Sequence, residues 1–208
     1  MRLFPLTVSN YHEMMERGIL PEGEPYELLD GAIVRKDRSA QGENPTTVGH
    51  EHIYSVTVLQ ELGARLRRRG CYMRIQQPIS IPPINEPEPD AAIVLGKKED
   101  YAEKLPQQSD VLCVFEVADA SLRRDRTKKL QIYARGGIKI YYIVNLRDRV
   151  VEMYTEPLRR KSQYASTRIF SLAEKISFPM GTGEMRIAVR QLFPPPSSVQ
   201  SRRKHTAS

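Results

Sequence analysis

The sequence predicts an α/β or α+β protein built on one central mixed β-sheet, and three observations carry that prediction. Val111–Val117 and Ile140–Val144 are short apolar runs, and a helix-like stretch, Ser121–Arg135, lies between them. Strand, helix, strand in that order calls for a parallel pair joined by a crossover. In "YELLDGAIV", Asp30-Gly31 sits between two apolar runs, which signals a hairpin with a type I′ turn. Near the end, "VVEMY" and "YASTRIF" read as a closing antiparallel pair. Antiparallel hairpins around a parallel crossover make the sheet mixed.

The elements follow in order. Thr7 to Arg17 predicts a short helix, capped by Thr7 or Ser9 and ended by Gly18. After the hairpin, "SAQGENPTTVG" is a polar loop. His52 to Arg69 has the clearest helical spacing, through Ile53, Val56, Leu59, Leu62 and Leu66, and Gly70 closes it. Its last turn carries Arg65, Arg67, Arg68 and Arg69; cations suit the negative end of a helix, or they meet nucleic acid. "CYMRIQQPISI" is extended, with Pro78 marking a bulge or edge. "PPINEPEP" is rigid and leads through Asp90 into the strand "AAIVL". Lys97 to Asp110 is a charged loop with room for one helical turn. Gly136-Gly137 ends the crossover helix, and Lys139–Asn145 is the strand beyond it. "MRIAVRQLF" forms a last strand or turn. One domain is expected over residues 1–193, with a disordered basic tail over 194–208 that is dispensable for folding and for chemistry.

Composition narrows the function classes. The chain has 208 residues, 40% apolar and 27% charged, which suits a soluble domain with a full core. No apolar run approaches the roughly 20 residues of a membrane span. The N-terminus "MRLFPLTVSN" lacks a long apolar stretch and a small-residue cleavage site, so no secretory signal is expected. Cys71 and Cys113 lie in apolar, strand-like surroundings without metal-type spacing, which predicts reduced core thiols and a cytoplasmic location. Net charge is +7, and Arg202, Arg203 and Lys204 of the tail supply three of these charges. The excess fits a polyanionic partner, and it equally fits a charge that only keeps the protein soluble.

The acids near the strand ends raise the question of chemistry. Glu116 falls at the carboxyl end of the strand that feeds the crossover, where ligands of such sheets gather. Asp90 opens its own strand, and if that strand runs antiparallel to Val111–Val117, the two carboxylates meet. A divalent cation with oxygen ligands resolves their repulsion. The alternative is that Asp90 starts a turn after Pro89 while Glu116 pairs with an arginine. Lys129 follows Asp125 by four residues, the favourable order for a surface ion pair. Turned the other way, it would reach the Asp90–Glu116 end, where it would orient and help deprotonate a metal-bound water or stabilise a phosphorane-like transition state. Lys128 points about 100° away on the same helix.

"EPEPDAAIV", "FEVADASLRRDRTKKLQIYARGGIKIYYIVNL" and "YELLDGAIV" together resemble the Uma-type putative endonuclease family, within the PD-(D/E)XK restriction-endonuclease-like superfamily. The resemblance runs from about Leu6 to Phe193. It implies a restriction-endonuclease-like fold, a mixed central sheet flanked by helices, and a metal-dependent phosphodiesterase site. By that resemblance Asp90 and Glu116 would bind Mg²⁺, for which Mn²⁺ substitutes, with help from the Val117 carbonyl and Glu27. Asp90, Glu116 and Lys129 would be catalytic. The superfamily's usual lysine two residues after the second acid is absent, since Ala118 stands there, and Lys129 on the next helix takes its place. His52, Gln76, Ser121 and Asp125 would touch nucleic acid or support the site from behind. Tyr141-Tyr142 departs from relatives that more often carry a tryptophan in this strand, which concerns packing.

The expected function is therefore a Mg²⁺-dependent endonuclease acting on nucleic acid, foremost DNA, in a homodimer without membrane contact. Two alternatives stand beside it: a nucleic-acid-binding module that keeps the fold and hardly cleaves, and a structural or regulatory dimer without metal.

Overall fold

The structure, a computed structural model, describes residues 4–21, 23–36 and 49–196. The expected polar loop lies, except for Gly49, outside the described residues, as does the tail beyond residue 196.

Helix α1 (Val8–Glu16) starts where the sequence places its cap: Asn10 N donates to Thr7 Oγ1 at 3.1 Å. Strands β1 (Tyr26–Leu29) and β2 (Ala32–Arg35) pair antiparallel. Asp30 and Gly31 between them both take positive φ, 51° and 73°, as a type I′ turn requires. Gly31 is needed twice over, because a Cβ there would collide with Pro5.

The long helix expected over His52–Arg69 is two helices, α2 (His50–Glu61) and α3 (Gly63–Arg67). At the joint Leu62 N bonds to Leu59 O and Arg65 N to Leu62 O, tightened turns at a glycine with little helix propensity. Leu59, Leu62 and Leu66 still share one buried face, so the apolar spacing survives the break.

Six strands form the main sheet in sequence order: β3 (Cys71–Ile75), β4 (Ala91–Leu95), β5 (Val111–Ala118), β6 (Ile140–Asn145), β7 (Val150–Leu158) and β8 (Gln163–Phe170). Only β5 and β6 are parallel, and every other neighbouring pair is antiparallel. The crossover between them runs through α4 (Leu122–Arg124), a π-helical turn (Asp125–Lys129) and α5 (Leu130–Gly136). Gly137 closes it at φ 79°. The charged loop before β5 holds one 3₁₀ turn, Lys98–Tyr101.

Helices and hairpins cover both faces of the sheet. On one face α2, α3 and a second hairpin, β9 (Lys175–Pro179) with β10 (Glu184–Ala188), pack against Cys113, Phe115 and Val117. Phe115 stacks on Tyr142 with ring centroids 4.7 Å apart and meets the Phe178 ring edge-on at 5.7 Å. On the other face α5, Leu29 of β1 and the segment around Ile79 and Ile81 pack against Ala92, Val94, Val114 and Ile143. Alternation along β5 therefore turns Glu116, with Val114 and Ala118, toward the α5 side. Strand β9 was not anticipated from the sequence. Cys71 and Cys113 are free and buried, as expected of core thiols. Among the described residues no helix is long and apolar enough to cross a membrane.

Candidate active site

The antiparallel register of β4 on β5 pairs Ala91 with Phe115. One step further brings Asp90 level with Glu116, the meeting that the sequence made conditional on this strand direction. The local contacts agree: Val117 N donates to Asp90 Oδ2 at 2.8 Å. His52, two residues into α2, reaches the same oxygen through Nε2 at 3.2 Å. Burial alone would raise the Asp90 pKa, but the His52 contact, the Lys36 charge and the Val117 amide outweigh it and hold the pKa at about 2. The imidazole responds in kind: burial opposes its proton, yet Asp90 raises the His52 pKa above the ordinary 6.5.

Glu116 sits in a different environment. Its Oε1 accepts from Lys129 Nζ at 2.8 Å and from the Tyr133 hydroxyl at 2.7 Å. Burial pushes its pKa up to about 7; the Lys129 charge opposes the rise, and Asp125 and Asp90 add to it. Two carboxylates one strand apart thus have separated acidities, the pattern that acid–base sites use.

Lys129 is 0% exposed, which removes the surface ion pair with Asp125 that helical spacing offered. Its ammonium lies 2.9 Å from Glu27 Oε1 as well as beside Glu116, and it donates to Glu88 O at 3.4 Å. Burial would strip its proton, but the charges of Glu116, Glu27 and Asp125 raise its pKa well above the ordinary value. At neutral pH it is a fixed cation, not a base. Lys128, by contrast, is 42% exposed in its side chain and pairs with Asp30 at 2.5 Å, next to the Arg135–Asp30 pair. Adjacent helical residues point about 100° apart, so Lys129 turns inward while Lys128 stays toward solvent.

The remaining expected residues fall into two groups. Glu27, on the first hairpin, is fully buried and joins the site through Lys129, while Glu88 N donates to Glu27 Oε1 at 2.8 Å. Burial opposes its charge, but Lys129 and Lys36 keep its pKa below the ordinary carboxylate value. Asp125 is 1% exposed, and Ser121 Oγ donates to its Oδ2 at 2.6 Å. Gln76 is exposed at φ 48°, and only its backbone reaches the site, through Gln76 N to Asp90 O at 3.1 Å. Three contributors were not anticipated from the sequence: Tyr133, Lys36 and Glu88. Lys36 Nζ donates to Glu88 Oε1 at 2.9 Å. The signal for Tyr133 was its place four residues after Lys129; for Glu88 it was the acid in "EPEPD".

The charge balance bears on a metal. Glu27, Asp90, Glu116 and Asp125 interact electrostatically around Lys129. Glu27 Oε2 and Asp125 Oδ1 are buried without a hydrogen-bond partner. Such a surplus of oxygen donors suits a hard cation. Among the described residues no three His, Cys, Asp or Glu side chains converge as a ready metal shell, and both Glu27 and Glu116 bond to Lys129. Mg²⁺ does not require such a shell; one or two carboxylates, completed by water and phosphate, are its usual donors.

A solved structure, described as a putative nuclease belonging to DUF820 from Anabaena variabilis, shares this fold with a TM-score of 0.66 at 15% identity. The match covers 91% of this chain and 98% of that one. No curated protein matches the chain. The model of the Uma2 family, described as putative restriction endonucleases, matches residues 8–190. That span holds both carboxylate strands, the crossover with Lys129 and the hairpin with Glu27, and the chain belongs to the Uma2 family.

Proposed function

We propose that this protein is a Mg²⁺-dependent endonuclease that hydrolyses phosphodiester bonds of DNA, with Asp90, Glu116 and Lys129 at its centre. One observation carries the reading most: a buried lysine bonded to Glu116, on a strand whose neighbour brings Asp90 level with it. Asp90, Glu116 and the Val117 carbonyl would hold the ion. Bound there, Mg²⁺ supplies Lewis-acid polarisation of the phosphoryl group and acidifies water.

The chain's own residues do the rest. Asp90 stays anionic across the working pH range because His52 and the Val117 amide hold it so. Tyr133 and Lys129 fix the orientation of Glu116 by bonding one oxygen. Lys129 presents a preorganised positive charge to the charge that develops on phosphorus oxygens, in a site where burial strengthens it. Since Lys129 holds its proton firmly, its role is electrostatic, and the proton of the attacking water passes to another group.

The test is nicking of supercoiled plasmid with Mg²⁺ or Mn²⁺, paired with calorimetric titration of Mn²⁺. The native chain should bind the ion and nick the plasmid, whereas Asp90→Asn and Glu116→Gln, folded by circular dichroism, should do neither. Mn²⁺ binding without nicking would favour the binding-module reading, and no ion binding in the native chain would remove the metal assignment.

A further inference from the structure

The arginines at the end of α3 remain unexplained by that site. Arg65, Arg68 and Arg69 line a cavity of about 300 Å³, closed on the other side by the β9–β10 hairpin with Met180, Met185 and Arg186. Among the described residues the side chains of Arg65, Arg68 and Arg69 have no hydrogen-bond or ion-pair partner. Arg186 comes no nearer than 4.0 Å to Glu184, the one acid in the lining, and Glu184 already accepts from Ser177 Oγ at 2.6 Å. The negative end of a helix explains why cations are tolerated here, but it gives these exposed guanidinium donors no protein acceptor. The hairpin wall is fixed in place: Gly181 N bonds to Cys71 Sγ at 2.8 Å, and a Cβ at Gly181 would collide with the Arg69 carbonyl.

We infer that this cavity is a second phosphate-binding site, one that grips the nucleic-acid backbone without cutting it. Guanidinium forks match phosphate oxygens better than any other side chain. Arg65 comes from α3, and Arg68 and Arg69 come from the turn that follows it, yet all three line the one cavity with Arg186, so they present an extended patch of charge rather than a point. Several cations spread around one cavity suit a linear polyanion better than a single small anion. The cavity also lies well away from the acids. Gln76, bonded to Asp90, and Cys71, bonded to the hairpin, are separated by the length of β3, about 17 Å at ~3.3 Å per residue. A duplex covers that length in about five base pairs at 3.4 Å each. The inference rests on the nuclease reading for its choice of polyanion.

The experiment measures binding of a duplex of about 20 base pairs in chelator, so that nothing is cut, across a range of salt concentrations. It compares the full chain with Arg65→Gln/Arg68→Gln/Arg186→Gln. The variant should bind at least tenfold more weakly at low salt. Its slope of log affinity on log salt should be shallower by about two to three, near 0.9 for each phosphate that is no longer neutralised. Arg186→Gln alone, on the exposed hairpin, should lower the slope by about one and serves if the triple variant does not fold; Arg186→Lys should restore most of it. An unchanged slope in a folded variant overturns the second site, and plasmid nicking by the native chain would still support the nuclease reading. Calorimetric binding of inorganic phosphate that the variant loses, with the duplex slope unchanged, assigns the cavity to a free anion and also overturns it. A native chain that neither binds duplex nor nicks plasmid overturns both.

Discussion

At Lys129 a buried ammonium lies between Glu27 and Glu116, and its removal would leave two buried carboxylates facing each other. Breaking a buried charge cluster from one side costs about 3–5 kcal/mol, against about 0–1 kcal/mol for an exposed pair such as Lys128–Asp30. Lys129→Met should therefore lower unfolding free energy at neutral pH far more than Lys128→Met, measured by urea denaturation. The loss should shrink toward acid pH, where the stranded carboxylates take up protons. Under conditions where Lys129→Met is folded, turnover should fall by about 10²–10³-fold, the scale of a lost electrostatic stabiliser. Lys128→Met should leave the time course near that of the native chain. Equal stability of the two variants would mean that the buried cluster is not as described. The sequence made Lys129 and Lys128 distinguishable by angle alone. It could not show that Lys129 meets Glu27, about a hundred positions earlier, because such a contact depends on how the first hairpin docks against the crossover.

The secondary-structure elements were legible where local chemistry decides them. Thr7 capping, the Asp30-Gly31 turn, and the strands β5 and β6 follow from caps, turn residues and apolar runs that lie within a few positions of each other. The π-helical turn was not legible, since no side chain of Asp125–Lys129 announces it. Strand β9 was overlooked because its alternation rests on only two buried residues, Ile176 and Phe178. The break between α2 and α3 was hidden by leucines that keep helical spacing on both sides of it. Two glycines beside α3 separate by environment. Gly63 is helical, and an added Cβ would make ordinary contact with Met73 Cβ at 3.5 Å. Gly63→Ala should thus stabilise by about 0.5–1 kcal/mol through helix propensity. Gly181→Ala would drive a methyl into the Arg69 carbonyl and should destabilise by about 1–3 kcal/mol. Paired thermal melts decide both, and a destabilised Gly63→Ala would show that the α2–α3 joint cannot accept a regular helix.

Across the whole molecule, the sheet brings Asp90 and Glu116 together, the crossover adds Lys129, and the first hairpin adds Glu27. The folded state therefore carries the electrostatic cost of the site, and that cost depends on pH. Asp90 has its pKa lowered to about 2 from 3.8, so its contribution to stability is present above about 3.8 and is lost as pH falls toward 2. Glu116 behaves oppositely. Its pKa is raised to about 7 from 4.5, so its contribution is complete below about 4.5 and is lost as pH rises through 7. The two contributions are both complete only between about 3.8 and about 4.5. A divalent cation held by Asp90 and Glu116 prefers the ionised Glu116, and a ligand stabilises a protein by its binding to the folded state. The rise in Tm on adding Mg²⁺ should consequently be larger at about pH 8 than at about pH 5, read by differential scanning calorimetry. Asp90→Asn should abolish the Mg²⁺-dependent rise at both pH values. A Mg²⁺ effect of equal size at the two pH values, or one that survives Asp90→Asn, would place the ion away from these two carboxylates.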